Sequence, residues 1–349
     1  MKQLIIFSLE PIESRYTKEW YTHLPKLFKE KLEDFEIIQI DGDTKSSRPT
    51  PGAFLDFEAT NMWKSEQVIK FFDKMSKGLI QDDAYILLTD FWNPCIFQLK
   101  YTKDLCKKNW TLLGIAHAGS YDPNDFLGRI RDKNWSLNVE CGFYWAYDKI
   151  WFATDFHIRL FCSEVGGLGK KDRFIRSGFP MEYIPETFDN NIEKEDLIVF
   201  PARIAPEKQP EIFETLEKML PEYKFVMCCK ENMNKSQYHD TMKRAKLMLS
   251  FSLQETYGIT VIEALYAKCL ALVPDRLSYR EMYNKFDSIL YPSEWSLPEN
   301  INYEKLVERI KYTMNNYKNI MEQDINKNLS SLYNDYVQSD IFIKKVFNP

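Results

Sequence analysis

The sequence predicts an α/β protein built as two Rossmann-like domains, parallel sheets that face a cleft. Three observations carry this. Short apolar runs rich in β-branched and aromatic residues alternate with longer segments of helical period, the pattern of strand–helix–strand units. The alternation pauses at a polar, turn-rich stretch over residues 184–196 and then restarts. The length, 349 residues, exceeds what one compact core ordinarily holds, the soft norm being about 150 residues per domain.

In the first half the expected strands are 3–9, 35–40, 84–89, 111–116 and 149–154, with helices over 18–32, 65–77 and 96–108. In the second half they are 197–202, 224–229, 247–252 and 269–274, with helices over 210–220, 236–245 and 259–267. The tail from Tyr303 is helical, strand-free, and expected to pack across both domains. The boundaries expected are 1–186 and 187–329, with a last helix at about 330–349 returning to the first domain. Ligands of open parallel sheets bind beyond the carboxyl ends of the strands, so chemistry is sought in the loops that follow them.

Composition excludes several classes. Charged residues make up 28% and hydrophobic residues 44%, which is ordinary for a globular protein and not for a disordered one. The seven cysteines include no CxxC pair and the four histidines no HxxxH pair, so neither a disulfide framework nor a structural zinc site is expected. That usage fits a reducing, cytoplasmic setting. The opening MKQLIIFSLEP is too briefly apolar for a signal peptide, and no run approaches the roughly 18 residues of a membrane span. Net charge is −5, which gives no global electrostatic case for nucleic acid. Local basic clusters do occur at Lys100, Lys103, Lys107 and Lys108, at Arg129, Arg131 and Lys133, and at Lys170, Lys171, Arg173 and Arg176.

The strongest chemical signal is LSFSLQETYGITVIEALYAKCLALVP, residues 249–274. A strand runs into a loop with Glu255 and Gly258, then a helix carrying Glu263. Amides at Tyr257, Gly258, Ile259 and Thr260, at the positive end of a helix, suit a phosphate. Glu263 could accept hydrogen bonds from vicinal ribose hydroxyls. From spacing alone a plainer assignment stands beside this one: Glu255 caps the helix and Glu263 lies on its surface. The second signal is FPARIAPEKQPEIFETL, residues 200–216, which places Arg203 and Lys208 in a strand-to-helix turn. One bidentate cation and one point charge are what a diphosphate leaving group needs.

With these two stretches in order, the chain resembles the retaining glycosyltransferase family 4 of the GT-B fold. ETYGITVIE resembles that family's E-x7-E motif, and the likeness extends over about residues 80–290. YDKIWFATDFHIRLF (147–161) looks like the last strand and helix of the family's first domain, EYIPETFDNN (182–191) like the strand and turn that cross into its second domain, and LLGIAHAGSYD (112–122) like the strand that ends in its active-site histidine. The resemblance implies a nucleoside-diphosphate sugar as donor substrate and no metal. It implies that Arg203 and Lys208 hold the diphosphate, Glu263 the ribose, Glu255 the donor sugar near its reacting face, and His117 the sugar hydroxyls. The catalytic set is then Glu255, His117, Arg203 and Lys208, with Tyr257, Gly258, Ile259 and Thr260 on the donor. The glycine-rich turn frequent after the family's first strand is missing from FSLEPIESRYTKEW, and KFVMCCKEN lacks the usual glycines.

TPGAFLDFEATNMWKSEQ (50–67) and TDFWNP (89–94) look like segments of glycosyltransferases of large bacterial viruses. That likeness implies, as acceptor, a hydroxymethylated pyrimidine in DNA, flipped from the duplex. Other acceptors weighed are a glycan, a lipid or a transfer RNA; other activities, a silent nucleotide-sugar-binding module or a nucleotide-sugar epimerase. Lesser signals are the Asp41-Gly42-Asp43 triplet, read as a turn over a metal-binding DxD; Asp90, Trp92 and Asn93 at a strand end; GGLGKK at 166–171, read as a loop; and Trp63, Trp92, Trp135 and Trp145 as stacking surfaces or core.

Overall fold

The computed structural model describes residues 1–45, 56–130, 132, 134–165, 171–188, 192–231 and 233–347. The chain forms two compact units. The first comprises Met1–Ala153, Ile158–Ser177 and the segment from Asp340; the second comprises Thr154–His157 and Gly178–Ser339.

The first unit alternates as its apolar runs require: β1 (Lys2–Phe7), α1 (Thr17–Lys31), β2 (Phe35–Ile40), α2 (Phe57–Ser76), β3 (Tyr85–Leu88), α3 (Cys95–Leu105), β4 (Thr111–Ile115), α4 (Asn134–Ala146), β5 (Lys149–Phe152), α5 (Asp155–Val165) and β6 (Phe174–Arg176). Its six strands lie in the order β2-β1-β3-β4-β5-β6, all parallel. Leu4 pairs with Tyr85 and Phe7 with Leu88. The strand centres, Leu4 to Phe7, Ile86 to Leu88 and Ile150 to Phe152, are buried on both faces, as helix-covered parallel strands are. The chain leaves β1 first toward β2 and then back to β3. The switch point of this sheet is therefore the gap between the ends of β1 and β3.

The second unit continues with α6 (Ile184–Thr187), β7 (Glu195–Phe200), α7 (Pro210–Met219), β8 (Lys224–Met227), α8 (Lys235–Arg244), β9 (Ala245–Leu249), α9 (Ile259–Tyr266), β10 (Leu270–Pro274), α10 (Leu277–Met282), β11 (Leu290–Tyr291), α11 (Tyr303–Asn315), α12 (Tyr317–Ile320) and α13 (Asn326–Leu332). The strand order is β11-β10-β9-β7-β8, again parallel. Ile198 is registered against Phe225 on one side and Leu247 on the other, so the switch point lies between β7 and β9. π-helical turns at Met321–Ile325 and Tyr333–Val337 interrupt the closing helices. The Tyr336 carbonyl, in the second of these turns, accepts from the Phe179 amide at 2.9 Å and the Tyr257 hydroxyl at 2.7 Å.

The last helix, α14 (Asp340–Phe347), belongs to the first unit. Phe342 stacks on Trp151 with centroids 3.7 Å apart, and Phe347 meets Phe28, Phe35 and Tyr85. Among the described residues no helix is long and apolar enough to cross a membrane.

Candidate donor site

Two loops leave the switch point of the second sheet, one after β7 and one after β9, and a ladder of polar contacts locks them together. After β7, Pro206 opens a single 3-10 turn, Gln209 takes a left-handed conformation at φ 51°, and Pro210 starts α7 with its φ already helical. A non-glycine residue in that region is strained, and here the strain is held by tertiary bonds. The buried Gln209 amide donates to the carbonyls of Phe251 (2.5 Å) and Ser296 (3.0 Å). The Leu253 amide donates to Glu207 O at 2.8 Å. Lys208 completes the ladder: its Nζ donates to Gln254 O at 2.5 Å and lies 3.2 Å from Glu255 Oε2.

The Lys208 side chain is only 8% exposed. A buried ammonium persists where it is paired and hydrogen-bonded, and Lys208 is both. Arg203, at the start of the same loop, holds Glu207 Oε1 through Nε at 3.2 Å and through a second, shorter contact from its terminal nitrogen. Glu207 is buried while Arg203 remains partly open, so a buried carboxylate anchors a guanidinium that still reaches solvent.

Glu255 serves two masters. Its Oε2 faces Lys208, while Oε1 accepts from the Gly258 amide at 3.0 Å and lies 3.4 Å from that of Tyr257. It therefore braces the turn that leads into the helix without reaching a first-turn amide, so it is not the cap that the plainer reading of the spacing expected, and it pairs with the cation as well. Gly258 has φ 79°, and a β-carbon there would lie 2.8 Å from the Tyr279 ring, so both conformation and space demand glycine. The α9 helix then begins, and helical geometry gives the Ile259 and Thr260 amides no partner within the helix. The Tyr257 side chain points elsewhere: it is buried, with its ring against Phe179 and its hydroxyl on Tyr336 O, leaving only its backbone near the loop. Further along α9, Glu263 Oε2 accepts from the Tyr238 hydroxyl at 2.6 Å.

Three site residues escaped the sequence reading. Arg276 donates to the carbonyls of Phe251 (2.7 Å), Ser252 (2.9 Å) and Ser293 (3.0 Å), with a longer contact to Ser296 (3.4 Å), and so pins the loop after β9 from below. Burial holds its pKa below the ordinary arginine value. An arginine in a turn carries no sequence pattern that announces carbonyls from two separate segments. Tyr238 and Gln209 are equally invisible, being defined only by what they touch across the fold.

In the first unit, residues from three neighbouring strand ends gather around His117. Its Nδ1 is 2.9 Å from the Tyr16 hydroxyl and its Nε2 is 2.7 Å from Thr89 O. The carbonyl can only accept, so Nε2 carries the proton and Tyr16 donates to Nδ1. Burial lowers the His117 pKa and favours the neutral ring, with Asp90 and the Thr89 carbonyl pulling the other way. Asp90 bonds Lys64 at 2.7 Å and the Trp92 amide at 3.0 Å. Burial acts to raise its pKa, but Lys64, His117 and that amide outweigh burial and leave it lowered. Asn93 accepts from the Cys95 amide at 3.1 Å, at the start of α3.

Asp41 is bonded by Tyr21 and Gln39, Asp43 by Lys70, and the Asp43 and Thr44 amides by Glu66, at a bend in the chain at Asp43. Among the described residues no group of three or more His, Cys, Asp or Glu side chains is placed to hold a metal. Trp63 is core and donates to Ser8 O; Trp92 donates to Glu140; Trp135 and Trp145 are about half exposed. Of the basic clusters, Lys100, Lys103 and Lys108 pair with Asp104, Asp148 and Asp82. Arg131, Lys133, residues 166–170 of GGLGKK and residues 50–55 lie outside the described residues.

No protein-family model matches the sequence, and no curated protein matches it. Solved structures do match. The chain is similar to sucrose-phosphate synthase of Thermosynechococcus elongatus, with TM-score 0.66 at 11% identity, covering 98% of this chain and 96% of that one. It is similar to HepE of Anabaena in complex with UDP-glucose, with TM-score 0.58 at 10% identity over 100% and 99% of the two chains. It is similar to the lipopolysaccharide outer core galactosyltransferase WaaB, with TM-score 0.55 at 11% identity over 100% and 99%. At such identities the likeness is one of fold, and the fold is α/β with two parallel sheets, the GT-B architecture.

Proposed function

We propose that the chain is a glycosyltransferase that moves a sugar from a nucleoside-diphosphate sugar to an acceptor hydroxyl. The observation that carries this reading is the convergence, at the switch point of the second sheet, of the buried Lys208, the Glu255 carboxylate and the start of α9. Cations and amides fixed in advance stabilise charge as it develops on a leaving group, because nothing must reorganise during the reaction. In this reading Lys208 and Arg203 neutralise the departing diphosphate, with the Ile259 and Thr260 amides beside them. Glu263 takes the ribose hydroxyls, Glu255 lies at the sugar, and His117 serves the sugar hydroxyls. The HepE structure named above holds UDP-glucose, which supports this donor class.

The proposed reaction retains configuration. The bond from the anomeric carbon to the diphosphate breaks, the acceptor oxygen bonds to that carbon on the same face, and the acceptor proton passes to the departing phosphate oxygen. No step calls for a metal. His117 enters as a neutral hydrogen-bonding group, since burial keeps its ring uncharged.

For the acceptor we propose a hydroxymethylated pyrimidine in DNA. Its support is the likeness of residues 50–67 and 89–94 to viral glycosyltransferases; the ion pairing of Lys100, Lys103 and Lys108 weakens the electrostatic argument. Transfer to hydroxymethylated DNA that falls steeply with added salt supports this acceptor, and transfer to free glycan or lipid alone rejects it.

The donor site is tested by thermal shift and calorimetry with UDP, GDP and ADP, since a specific ligand stabilises the fold by mass action. At least one is expected to bind the wild-type chain, and Lys208→Ala is expected to weaken it tenfold or more, about the worth of a hydrogen bond to a charged group. Unchanged affinity in a folded Lys208→Ala protein defeats the donor-site reading.

A further inference from the structure

Glu263 sits halfway along α9, among residues that face the core: Val261, Ile262, Ala264 and Leu265 are buried and Glu263 is half-buried. One partner of its carboxylate comes from α8. That helix starts at a capping box, in which the Asn234 side chain accepts from the Gln237 amide and the Gln237 side chain accepts from the Asn234 amide. The cap fixes the first turn, and the Tyr238 amide closes on Asn234 O at 2.9 Å. Tyr238 thus stands at a defined rotation about α8, and its hydroxyl donates to Glu263 Oε2 at 2.6 Å. Burial first, and then the Glu263 charge, push the phenol pKa well above its ordinary value, so the hydroxyl remains a donor. Short bonds from a neutral hydroxyl to a carboxylate are among the stronger hydrogen bonds in proteins.

The phenol takes one of the roughly four acceptor positions of the carboxylate. What the phenol supplies is direction. A glutamate has three side-chain torsions to order, and a group that orders them before ligand arrives lowers the cost of binding. We infer that Tyr238 is a positioning residue for the ribose of the nucleotide, holding the Glu263 carboxylate in the orientation that accepts the ribose 2′- and 3′-hydroxyls. The inference rests on the donor-site reading and deepens it: the site selects nucleotides that carry the diol, and Tyr238 contributes to that selection without touching ligand.

The competing possibility is that Tyr238 only packs α8 against α9. Tyr238→Phe separates the two because it keeps the ring and removes the hydroxyl. Calorimetry is run with UDP, GDP and ADP, and with the 2′,3′-dideoxy form of whichever binds tightest. The expected result is a roughly five- to tenfold loss for the ribonucleotide, with the dideoxy form within twofold of wild type. In a Glu263→Ala background Tyr238→Phe should then change nothing further, as coupled residues behave in a double-mutant cycle. Equal weakening of both nucleotides, or weakening of neither, overturns the positioning role. Lys208→Ala run alongside keeps the two readings apart. If the lysine variant loses affinity while Tyr238→Phe is silent, the donor site stands and this inference falls. If the lysine variant binds normally, or the wild-type chain binds none of the three nucleotides, both fall.

Discussion

Lys208 Nζ lies 3.2 Å from Glu255 Oε2, while the other oxygen of that carboxylate takes the Gly258 amide at 3.0 Å. One side chain therefore joins the loop after β7 to the residue that leads into α9. Removing it should disturb both, and the two effects can be separated. Glu255→Gln keeps an oxygen for the Gly258 amide and should cost less than about 1 kcal/mol of stability, whereas Glu255→Ala also loses that bond and should cost about 1–2 kcal/mol. Sugar transfer should fall more than tenfold in both. Urea unfolding and a transfer assay measure the pair, and wild-type turnover in the glutamine variant would remove Glu255 from the reaction.

Gly258→Ala should destabilise the second unit. The substitution forces a β-carbon into a left-handed residue at φ 79° and to within 2.8 Å of the Tyr279 ring. Strain of that kind costs about 1–3 kcal/mol. Differential scanning calorimetry should show the loss, and nucleotide affinity should fall with it because the amides after Gly258 shift. An alanine variant with unchanged melting and affinity would show that the ring yields easily.

Arg276→Met should cost about 2–4 kcal/mol, since it strips donors from several carbonyls in a partly buried site. Arg276→Lys should recover only part of this, because a point charge cannot reproduce a planar fork. Urea midpoints of the three proteins give the ranking, and a lysine variant as stable as wild type would refute the role assigned to the fork.

The pH dependence of the first unit should carry a mark of His117. Burial depresses its folded pKa below the ordinary 6.5, so in the window just beneath 6.5 the unfolded chain binds the proton more readily than the folded one. Stability should therefore be fully present above pH 6.5 and decline as pH falls through that window. His117→Phe should flatten this part of the profile. Melting temperatures of both proteins between pH 5 and 8 check the sign, and parallel curves would show that His117 does not titrate there.

Much of this fold was legible because burial writes itself into apolar runs. LIIF, YILL, KIWF and LIVF read as strands and form β1, β3, β5 and β7, since a parallel strand covered on both faces leaves little room for polar residues. The shortest strands, β6 and β11, carry no periodicity in two or three residues, and the strand expected within 182–191 is instead the short helix α6, with Pro185 in its first turn. The sequence reading brought Arg203, Lys208, Glu255 and Gly258 to one region because they flank strand ends and a helix start. It could not foresee that Tyr16 occupies Nδ1 of His117, that the Tyr257 side chain faces inward, or that Tyr238 bonds Glu263 and Arg276 the carbonyls of Phe251 and Ser252. Those relationships span long separations in the chain and depend on side-chain directions that no local pattern encodes.

The gene cannot be cut once to separate the two units. A break after Ser177 would deprive the first of Phe342, which lies flat on Trp151. It would deprive the second of the Thr154 hydroxyl on Thr256 O and of the Asp155 and Phe156 amides that Glu281 binds. A free-standing nucleotide-binding fragment would have to be rewired, with residues 154–157 spliced ahead of Gly178 and the chain ended at Ser339. Straight truncations should yield insoluble protein, for reasons of missing wall rather than missing chemistry.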